Sequence, residues 1–171
     1  GMAAILATAL GVLKSGDHIV CSASVFGATV QLFTHILGRF GIETTYVPGC
    51  DPAAWRAAVT PRTRLLYCET PSNPLMQIVD LAAFAALGRE TGALSVVDNC
   101  FCTPVLQRPF DFGVDLVIHS ATKYLDGQGR VLGGAVLGRS DLIRNVVLPV
   151  LRSAGPSLSP FNAWVLLKGL E

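Results

Sequence analysis

Charged residues are scarce in this chain of 171 residues, at 15% of the sequence against 51% hydrophobic residues. Such a low charge content indicates a sheet that is buried on both faces. The formal net charge is only +1, so there is no electrostatic reason to expect nucleic acid or a membrane surface as a partner. The apolar runs also stay short of the ~18 residues that a transmembrane helix requires, so we predict no membrane span.

The chain also lacks the features of a secreted, disulfide-stabilised protein. Its start shows no basic segment followed by the cleavage site of a signal peptide. Its five cysteines are odd in number and irregularly spaced, which favours reduced thiols in a cytoplasmic protein. Cys100 and Cys102 form a C-x-C pair that could belong to a zinc site, but no second ligand pair lies nearby in the sequence. We therefore predict no metal.

Apolar runs of strand length alternate with segments of helical period along nearly the whole chain. The predicted strands are 18–21, 43–47, 64–68, 94–98, 115–119 and 131–137, and the predicted helices are 2–13, 28–38, one beginning at Asp51-Pro52, 80–91, 140–150 and 160–170. This alternation predicts an α/β fold with a mostly parallel sheet flanked by helices. Because helical patterns reach both ends without caps, we expect residues 1–171 to be part of a longer protein.

Ligands of such sheets bind at the carboxyl ends of the strands, so polar residues there are candidates for chemistry. Asp98 directly follows the apolar run 94–97, although taken alone it is explained at least as well by an Asx turn that caps a loop. Lys123 follows another strand, with the hydroxyls of Ser120 and Thr122 beside it in the sequence. It is either a surface lysine on a polar loop or a desolvated amine beside anion-binding hydroxyls.

Two further elements add polar groups and free backbone near these strand ends. The loop 69–74, Glu-Thr-Pro-Ser-Asn-Pro, is stiffened by two prolines that hold Ser72 and Asn73 in place. A stiff turn explains the prolines but not the cluster of polar side chains. Gly1-Met2 lies at a helix start, where free N–H groups bind anions. Glycines within 127–134 allow the backbone to approach a ligand closely.

Together these residues suit one cofactor, pyridoxal 5′-phosphate (PLP). It requires an amine for its aldehyde, a carboxylate at its ring nitrogen, a cup of N–H and hydroxyl groups for its phosphate, and an aromatic ring on its face. The residues that can fill these roles are, in the same order, Lys123, Asp98, Ser120 and Thr122 with Gly1-Met2, and Phe26.

Five short motifs occur in one order over nearly the whole chain. They are Gly1-Met2-Ala3-Ala4-Ile5, Phe26-Gly27-Ala28-Thr29, Glu69-Thr70-Pro71-Ser72-Asn73-Pro74, Val97-Asp98-Asn99 and His119-Ser120-Ala121-Thr122-Lys123-Tyr124. In this order and spacing they resemble the Cys/Met-metabolism family of PLP enzymes, which includes cystathionine γ-synthase, cystathionine γ-lyase, methionine γ-lyase and the homoserine-ester sulfhydrylases. The resemblance implies part of a PLP fold-type-I (aspartate-aminotransferase-like) large domain, without the parent protein's N-terminal segment and C-terminal domain.

The resemblance also implies a role for each matching residue. Lys123 would bind the cofactor's aldehyde and shuttle protons, and Asp98 would pair with the pyridine nitrogen. The remaining cofactor contacts would be the backbone of Gly1 and Met2 with the Ser120 and Thr122 hydroxyls at the phosphate, Phe26 on the ring face, and Asn73 near the 3-hydroxyl.

Departures from the common family pattern indicate which branch of the family the chain resembles. Phe26 stands where many relatives have Tyr, and Gly127-Gln128-Gly129-Arg130 replaces a common Gly-His-x-Asp run. Together with the segment 155–164, these features resemble the O-succinylhomoserine sulfhydrylase branch. Cys100 stands where many relatives have a Thr near the cofactor, which puts one polar contact in doubt.

This branch implies γ-replacement on an activated homoserine ester, in which O-succinylhomoserine and sulfide give homocysteine and succinate in methionine biosynthesis. The expected setting is a cytoplasmic homotetramer that acts on a small amino-acid substrate. The residues present leave the ester group and the sulfur donor open. Cystathionine γ-synthase or γ-lyase activity is therefore an alternative.

Two other readings of the sequence remain. The chain alone could be an inactive fragment, because family members also bind the phosphate with a Tyr and an Arg of a neighbouring subunit, and the substrate with an Arg of the C-terminal domain. A dinucleotide-binding oxidoreductase is a poorer match. The run Gly127-x-Gly129-x-x-x-Gly133 misses the G-x-G-x-x-G spacing by one residue and precedes a predicted strand rather than a helix.

Overall fold

The computed structural model describes residues 1–170, and within them six strands form one sheet. The strands are β1 His18–Ser22, β2 Glu43–Val47, β3 Thr63–Glu69, β4 Leu94–Asp98, β5 Leu116–Ser120 and β6 Gly134–Gly138. Their order across the sheet is β2-β1-β3-β4-β5-β6. All neighbouring pairs are parallel except β5 and β6, which are antiparallel. The predicted α/β fold with a mostly parallel sheet is confirmed.

Helices cover the sheet between these strands. They are α1 Met2–Val12, α2 Gly27–Gln31, α3 Pro52–Ala58, α4 Leu81–Thr91, α5 Thr103–Leu106, α6 Ser140–Leu142, α7 Leu148–Ala154 and α8 Pro160–Gly169. Short π or 3-10 segments occur at Leu32–Ile36, Leu37–Phe40, Pro109–Phe112, Ala121–Leu125 and Ile143–Val147. Within residues 1–170, no helix combines the length and the apolar character needed to cross a membrane.

The helix ends follow from local chemistry that the sequence displays. Asp51 caps α3 by accepting from the N–H groups of Ala53 and Ala54, and Pro52 occupies the first helical position, as predicted. Gly92 ends α4 with a φ of 74°, a left-handed conformation that glycine adopts without a Cβ clash.

Apolar side chains fill both faces of the sheet, as the low charge content indicated. On one face, α1 and the helical segment after α2 pack over the strands, with Ile5 and Phe33 buried there. On the other face, Trp55 of α3 and Phe84 of α4 pack over Val97. Each fully buried side chain of this size contributes about 1.5–3 kcal/mol to folding. The two layers hold the central strands rigidly and fix where their ends lie.

The structure differs from the sequence predictions mainly after β5. The predicted strand 131–137 begins only at Gly134, because the Gly133 carbonyl accepts from the N–H groups of Gly1 and Ala121 instead. Lys123, for which a polar loop was one of two alternatives, lies in the π segment that directly follows β5. The predicted helix 140–150 extends to Ala154 and passes through a π segment. Helix α5 was not predicted, since four residues are too few to show a helical period.

Candidate active site

A cavity of about 670 Å³ opens at the carboxyl ends of β3, β4 and β5. Glu69 and Asp98 are the last residues of β3 and β4 and are paired in register, and Ser120 ends the neighbouring β5. All of the cofactor residues predicted from the sequence line this cavity, namely Gly1, Met2, Phe26, Asn73, Asp98, Ser120, Thr122 and Lys123. The fold therefore brings together residues up to 122 positions apart in the sequence.

Asp98 is a buried carboxylate in the floor of the cavity, with 7% of its surface exposed. Its Oδ2 accepts from the Tyr67 hydroxyl at 3.2 Å and its Oδ1 accepts from the Cys100 N–H at 3.2 Å. Burial raises the pKa of Asp98 to about 6, although both hydrogen bonds favour the charged form. A positively charged partner in the cavity would therefore stabilise this carboxylate strongly.

Lys123 lies in the π segment Ala121–Leu125, where its backbone departs from helical dihedral angles, with φ −102° and ψ −112°. Its Nζ donates to the Ser120 Oγ at 3.2 Å and lies 5.9 Å from the centroid of the Phe26 ring. The residue is exposed to the open cavity. The Lys123 amine therefore lies beside a hydroxyl and faces the open cavity.

The start of α1 forms the part of the cavity best suited to an anion. Gly1 is the N-cap of α1 without a side-chain cap, so the positive helix end remains available. A Cβ on Gly1 would lie 3.1 Å from the Ser120 Oγ, which places that hydroxyl beside the helix start. Gly134 also lies close to the helix start, since a Cβ added at this position would lie 2.6 Å from the Gly1 nitrogen.

Thr122 differs from Ser120 in what its hydroxyl binds. The Thr122 Oγ1 accepts from the Gly133 N–H at 3.2 Å and donates to the Gly133 carbonyl at 3.4 Å. Gly133 in turn accepts from the Gly1 nitrogen at 2.6 Å. Thr122 therefore holds the glycine loop against the start of α1, as well as lining the cavity.

Phe26 and Asn73 lie on loops that the strand ends position. Phe26 is 45% exposed, and its N–H donates to the Glu69 Oε2 at 2.7 Å. Asn73 follows β3 and is partly buried at the cavity wall. Both residues line the cavity, and the hydrogen bond to Glu69 is one that the sequence did not indicate.

Three residues that sequence reasoning missed or left without a role also belong to the site. Glu69 is buried at the end of β3 and lines the cavity, and burial raises its pKa to about 7. Tyr67 lies two residues earlier on the same strand and bonds to Asp98. Cys100 also lines the cavity, and burial raises the pKa of its thiol. The alternation of Leu65, Tyr67 and Glu69 on one face of a strand was the available signal.

Some residues after Lys123 line the cavity, and others make the bonds that connect this segment to α8. Gly133 and Gly134 line the cavity. Arg130 instead pairs with the buried Asp126 at 2.6 Å and donates to the Val165 carbonyl of α8 at 3.3 Å. Asn162 of α8 donates to the Leu132 carbonyl at 2.8 Å. These bonds attach the glycine loop to α8.

No group of three or more His, Cys, Asp or Glu side chains within residues 1–170 could hold a metal ion. This holds for Cys100 and Cys102 as well, both of which are free thiols.

The model of the family described as Cys/Met metabolism PLP-dependent enzyme matches residues 1–171. The chain belongs to this family. It is 57% identical over all of its 171 residues to an O-succinylhomoserine sulfhydrylase of Pseudomonas aeruginosa and 47% identical to one of Mycobacterium tuberculosis. In each case the match covers 42% of the relative, so the chain spans less than half the length of these curated relatives.

Among solved structures, the fold matches a cystathionine γ-lyase from Lactobacillus plantarum that was crystallised with L-serine. The TM-score is 0.96 and the sequences are 39% identical, over 99% of this chain and 44% of the other. The predicted fold class, the large-domain fold of this PLP family, is confirmed.

The residues present fit PLP, the cofactor of this family. The cavity volume of about 670 Å³ lies within the range of ~300–1,000 Å³ found for ligand pockets. The Asp98 carboxylate, whose pKa is raised by burial, would gain a cationic partner from the ring nitrogen. The start of α1 with the Ser120 hydroxyl suits a phosphate, and Lys123 offers the amine for the aldehyde. Bound PLP supplies an electron-accepting ring for reactions at the substrate's α-carbon.

Proposed function

We propose that the protein containing this chain is a PLP-dependent transferase of methionine biosynthesis. It converts O-succinylhomoserine and sulfide into homocysteine and succinate by replacement at the γ-carbon. The observation that carries the proposal is the 57% identity, along the whole chain, to a curated O-succinylhomoserine sulfhydrylase. The cavity that brings Lys123 together with Asp98 supports the same chemistry.

In this reaction the residues of the chain bind the cofactor and move protons. Asp98 would pair with the ring nitrogen, and Asn73 would serve the 3-hydroxyl. The backbone at Gly1 and Met2 would hold the phosphate, together with the hydroxyls of Ser120 and Thr122. Phe26 would supply the aromatic contact to the ring and has no ionisable group. It therefore cannot act as an acid or base, as a Tyr at this position could.

Lys123 is the proton carrier in this proposal. Its amine would take the α-proton of the bound amino acid and pass it on to the bound cofactor. Neutral again, it would take a β-proton, which allows succinate to leave from the γ-carbon. Sulfide adds at the γ-carbon, and Lys123 returns the protons in reverse order. The Ser120 hydroxyl, which accepts from the Lys123 Nζ at 3.2 Å, holds the amine at the cavity wall between these transfers.

Cystathionine γ-lyase or γ-synthase activity is the second candidate. The TM-score of 0.96 to a cystathionine γ-lyase supports it, because the same large-domain fold serves that reaction. The chain spans 44% of that structure, so this candidate, like the first, concerns the full-length protein.

Purified full-length protein, loaded with PLP, distinguishes the two candidates by its products. O-Succinylhomoserine is supplied first with sulfide and then with cysteine, and cystathionine is supplied alone. We expect homocysteine and succinate from the sulfide reaction as the fastest turnover. Faster cystathionine formation from cysteine, or faster cleavage of cystathionine, would contradict the sulfhydrylase proposal.

We also propose that residues 1–171 are part of the PLP-binding domain of a cytoplasmic homotetramer, and that this piece alone is not an active enzyme. The support is its coverage of 42% of the relatives, together with the family's use of residues from neighbouring subunits and from a C-terminal domain. Turnover by the chain alone, measured beside the full-length protein, tests the second part. Sedimentation of the full-length protein tests the tetramer.

A further inference from the structure

Tyr67 places a phenol hydroxyl beneath the floor of the cavity. It lies in β3, is 1% exposed, and packs edge-on against Phe33 with ring centroids 5.2 Å apart. Its hydroxyl donates to the Asp98 Oδ2 at 3.2 Å. Burial raises the pKa of Tyr67 well above its ordinary value, so the hydroxyl stays protonated and remains a donor.

A second carboxylate, that of Glu69, also lies where it could pair with a cation in the cavity. Glu69 is the register partner of Asp98 on the adjacent strand, is equally buried, and lines the same cavity. Two neighbouring buried carboxylates oppose each other's ionisation, so the one with more donors carries the negative charge more readily. Asp98 accepts from Tyr67 and the Cys100 N–H, whereas Glu69 accepts from the Phe26 N–H.

The other groups around Asp98 do not replace the contribution of Tyr67. Lys123 after β5 favours the ionised Asp98 by its positive charge. Lys123 also favours the ionised Glu69, so its charge does not select Asp98 over its neighbour. The Cys100 thiol, whose pKa burial raises, stays neutral. The Tyr67 hydroxyl, by contrast, bonds to Asp98 specifically.

We propose that Tyr67 is a positioning residue of the cofactor site, whose hydroxyl orients the Asp98 carboxylate and keeps the negative charge on it rather than on Glu69. Asp98 then presents an ionised oxygen to the cationic ring nitrogen of PLP. The inference rests on the PLP site of the proposed function but not on its substrate. It can therefore be tested whichever ester or sulfur donor the enzyme uses.

The test compares Tyr67→Phe with Tyr46→Phe in the full-length protein. Each change removes one hydroxyl. The Tyr46 hydroxyl bonds to Thr34 and to the Val30 carbonyl, away from the cavity. The readouts are the dissociation constant of PLP from the cofactor-free protein, the pH titration of the absorbance of bound PLP, and the thermal unfolding midpoint without cofactor.

We expect Tyr67→Phe to weaken PLP binding about tenfold, the size of one hydrogen bond to a charged group. The absorbance titration should also shift, and the unfolding midpoint should change no more than in Tyr46→Phe. In an Asp98→Asn background the effect of Tyr67→Phe on PLP binding should disappear, because Tyr67 acts through that carboxylate.

Three outcomes would overturn the proposal. PLP affinity within twofold of the unchanged protein would show that the hydroxyl does not serve the cofactor. An equal loss of PLP affinity with and without Asp98→Asn would separate Tyr67 from the carboxylate. Failure of Tyr67→Phe to fold while Tyr46→Phe folds would assign the hydroxyl to the stability of the core instead. None of these outcomes depends on which homoserine ester is turned over.

Discussion

The two ends of the parallel sheet bury polar groups in opposite ways. At the amino ends the His18 ring bonds through both nitrogens, to the Thr63 hydroxyl at 2.8 Å and to the Thr45 hydroxyl at 2.9 Å. Asp17 accepts from the Lys14 N–H at 2.9 Å and lies 3.9 Å from the Arg64 guanidinium. These groups satisfy one another within the fold, so their arrangement serves stability.

At the carboxyl ends, Asp98 and Glu69 face a cavity, and burial raises the pKa of Asp98 to about 6 and that of Glu69 to about 7. Their hydrogen bonds come from neutral donors, a phenol and peptide N–H groups. The buried polar groups at the amino ends thus have partners within the fold, whereas the two carboxylates at the carboxyl ends have no bonded cation among residues 1–170. Buried carboxylates with raised pKa values beside a cavity indicate a candidate ligand site.

The largest expected effect comes from the amine at the carboxyl ends. Lys123→Ala should lower turnover by roughly 10³-fold or more, since a positioned general base contributes about 10²–10⁴ and the amine also binds the cofactor. Reactivity with substrate and the absorbance of bound PLP measure both losses. Lys14→Ala, an exposed lysine at the other end of the sheet, is the matched control. A Lys123→Ala protein that keeps both signals would remove this residue from the mechanism.

A change of aspartate to asparagine at each end tests the comparison directly. Asp98→Asn should weaken PLP binding by about 3 kcal/mol, or roughly 100-fold, because it leaves the cationic ring nitrogen without its partner. Asp17→Asn should lower the free energy of unfolding through its lost contacts and leave PLP affinity unchanged. Equilibrium titration of the cofactor-free proteins with PLP measures the difference. Equal PLP affinities for the two variants would show that the ends of the sheet are not specialised in this way.

The two ends should also respond to pH with opposite sign. The raised pKa values of Asp98 and Glu69 mean that the folded, cofactor-free protein holds more protons than the unfolded chain between about pH 4 and 7. Their stabilising contribution is present at lower pH and is lost as pH rises through this window, by about 2–3 kcal/mol for Asp98 alone. Burial lowers the pKa of His18, so the folded protein holds fewer protons there than the unfolded chain. The stabilising contribution of His18 is therefore lost as pH falls below the ordinary pKa of histidine.

Urea unfolding of the cofactor-free protein at a series of pH values measures how the free energy of unfolding changes with pH. In Asp98→Asn the decline between pH 4 and 7 should become shallower, and bound PLP should suppress it because the cation compensates the carboxylate. A decline that is the same with and without PLP would contradict the assignment of Asp98 to the cofactor.

The smallest expected effect belongs to the amino ends. His18→Phe should lower the free energy of unfolding by about 1–2 kcal/mol, since it leaves the Thr63 and Thr45 hydroxyls without the imidazole. PLP affinity should stay the same, because His18 lies at the opposite end of the sheet from the cavity. Calorimetry and PLP titration of this variant test both statements. A loss of PLP affinity with an unchanged free energy of unfolding would contradict the assignment of His18 to stability rather than to ligand binding.

Much of the fold was predictable because its signals are local. The periods of apolar residues gave the strands near 43–47 and 94–98 as the structure has them, and Asp51-Pro52 gave the start of α3. The prediction was poorer after Lys123. There the strand begins late because Gly133 bonds to a residue 132 positions away, a partner that no local pattern reveals.

From residue types and spacings alone, a lysine next to hydroxyls and a carboxylate after an apolar run could be singled out as candidates for chemistry. The contact of Tyr67 with Asp98, the position of Glu69 beside Asp98 and the exposure of Lys123 to an open cavity became visible only in the folded chain. The reason is that strand register and burial arise from packing across the whole sheet. The charge a carboxylate can hold depends on those neighbours rather than on its place in the chain.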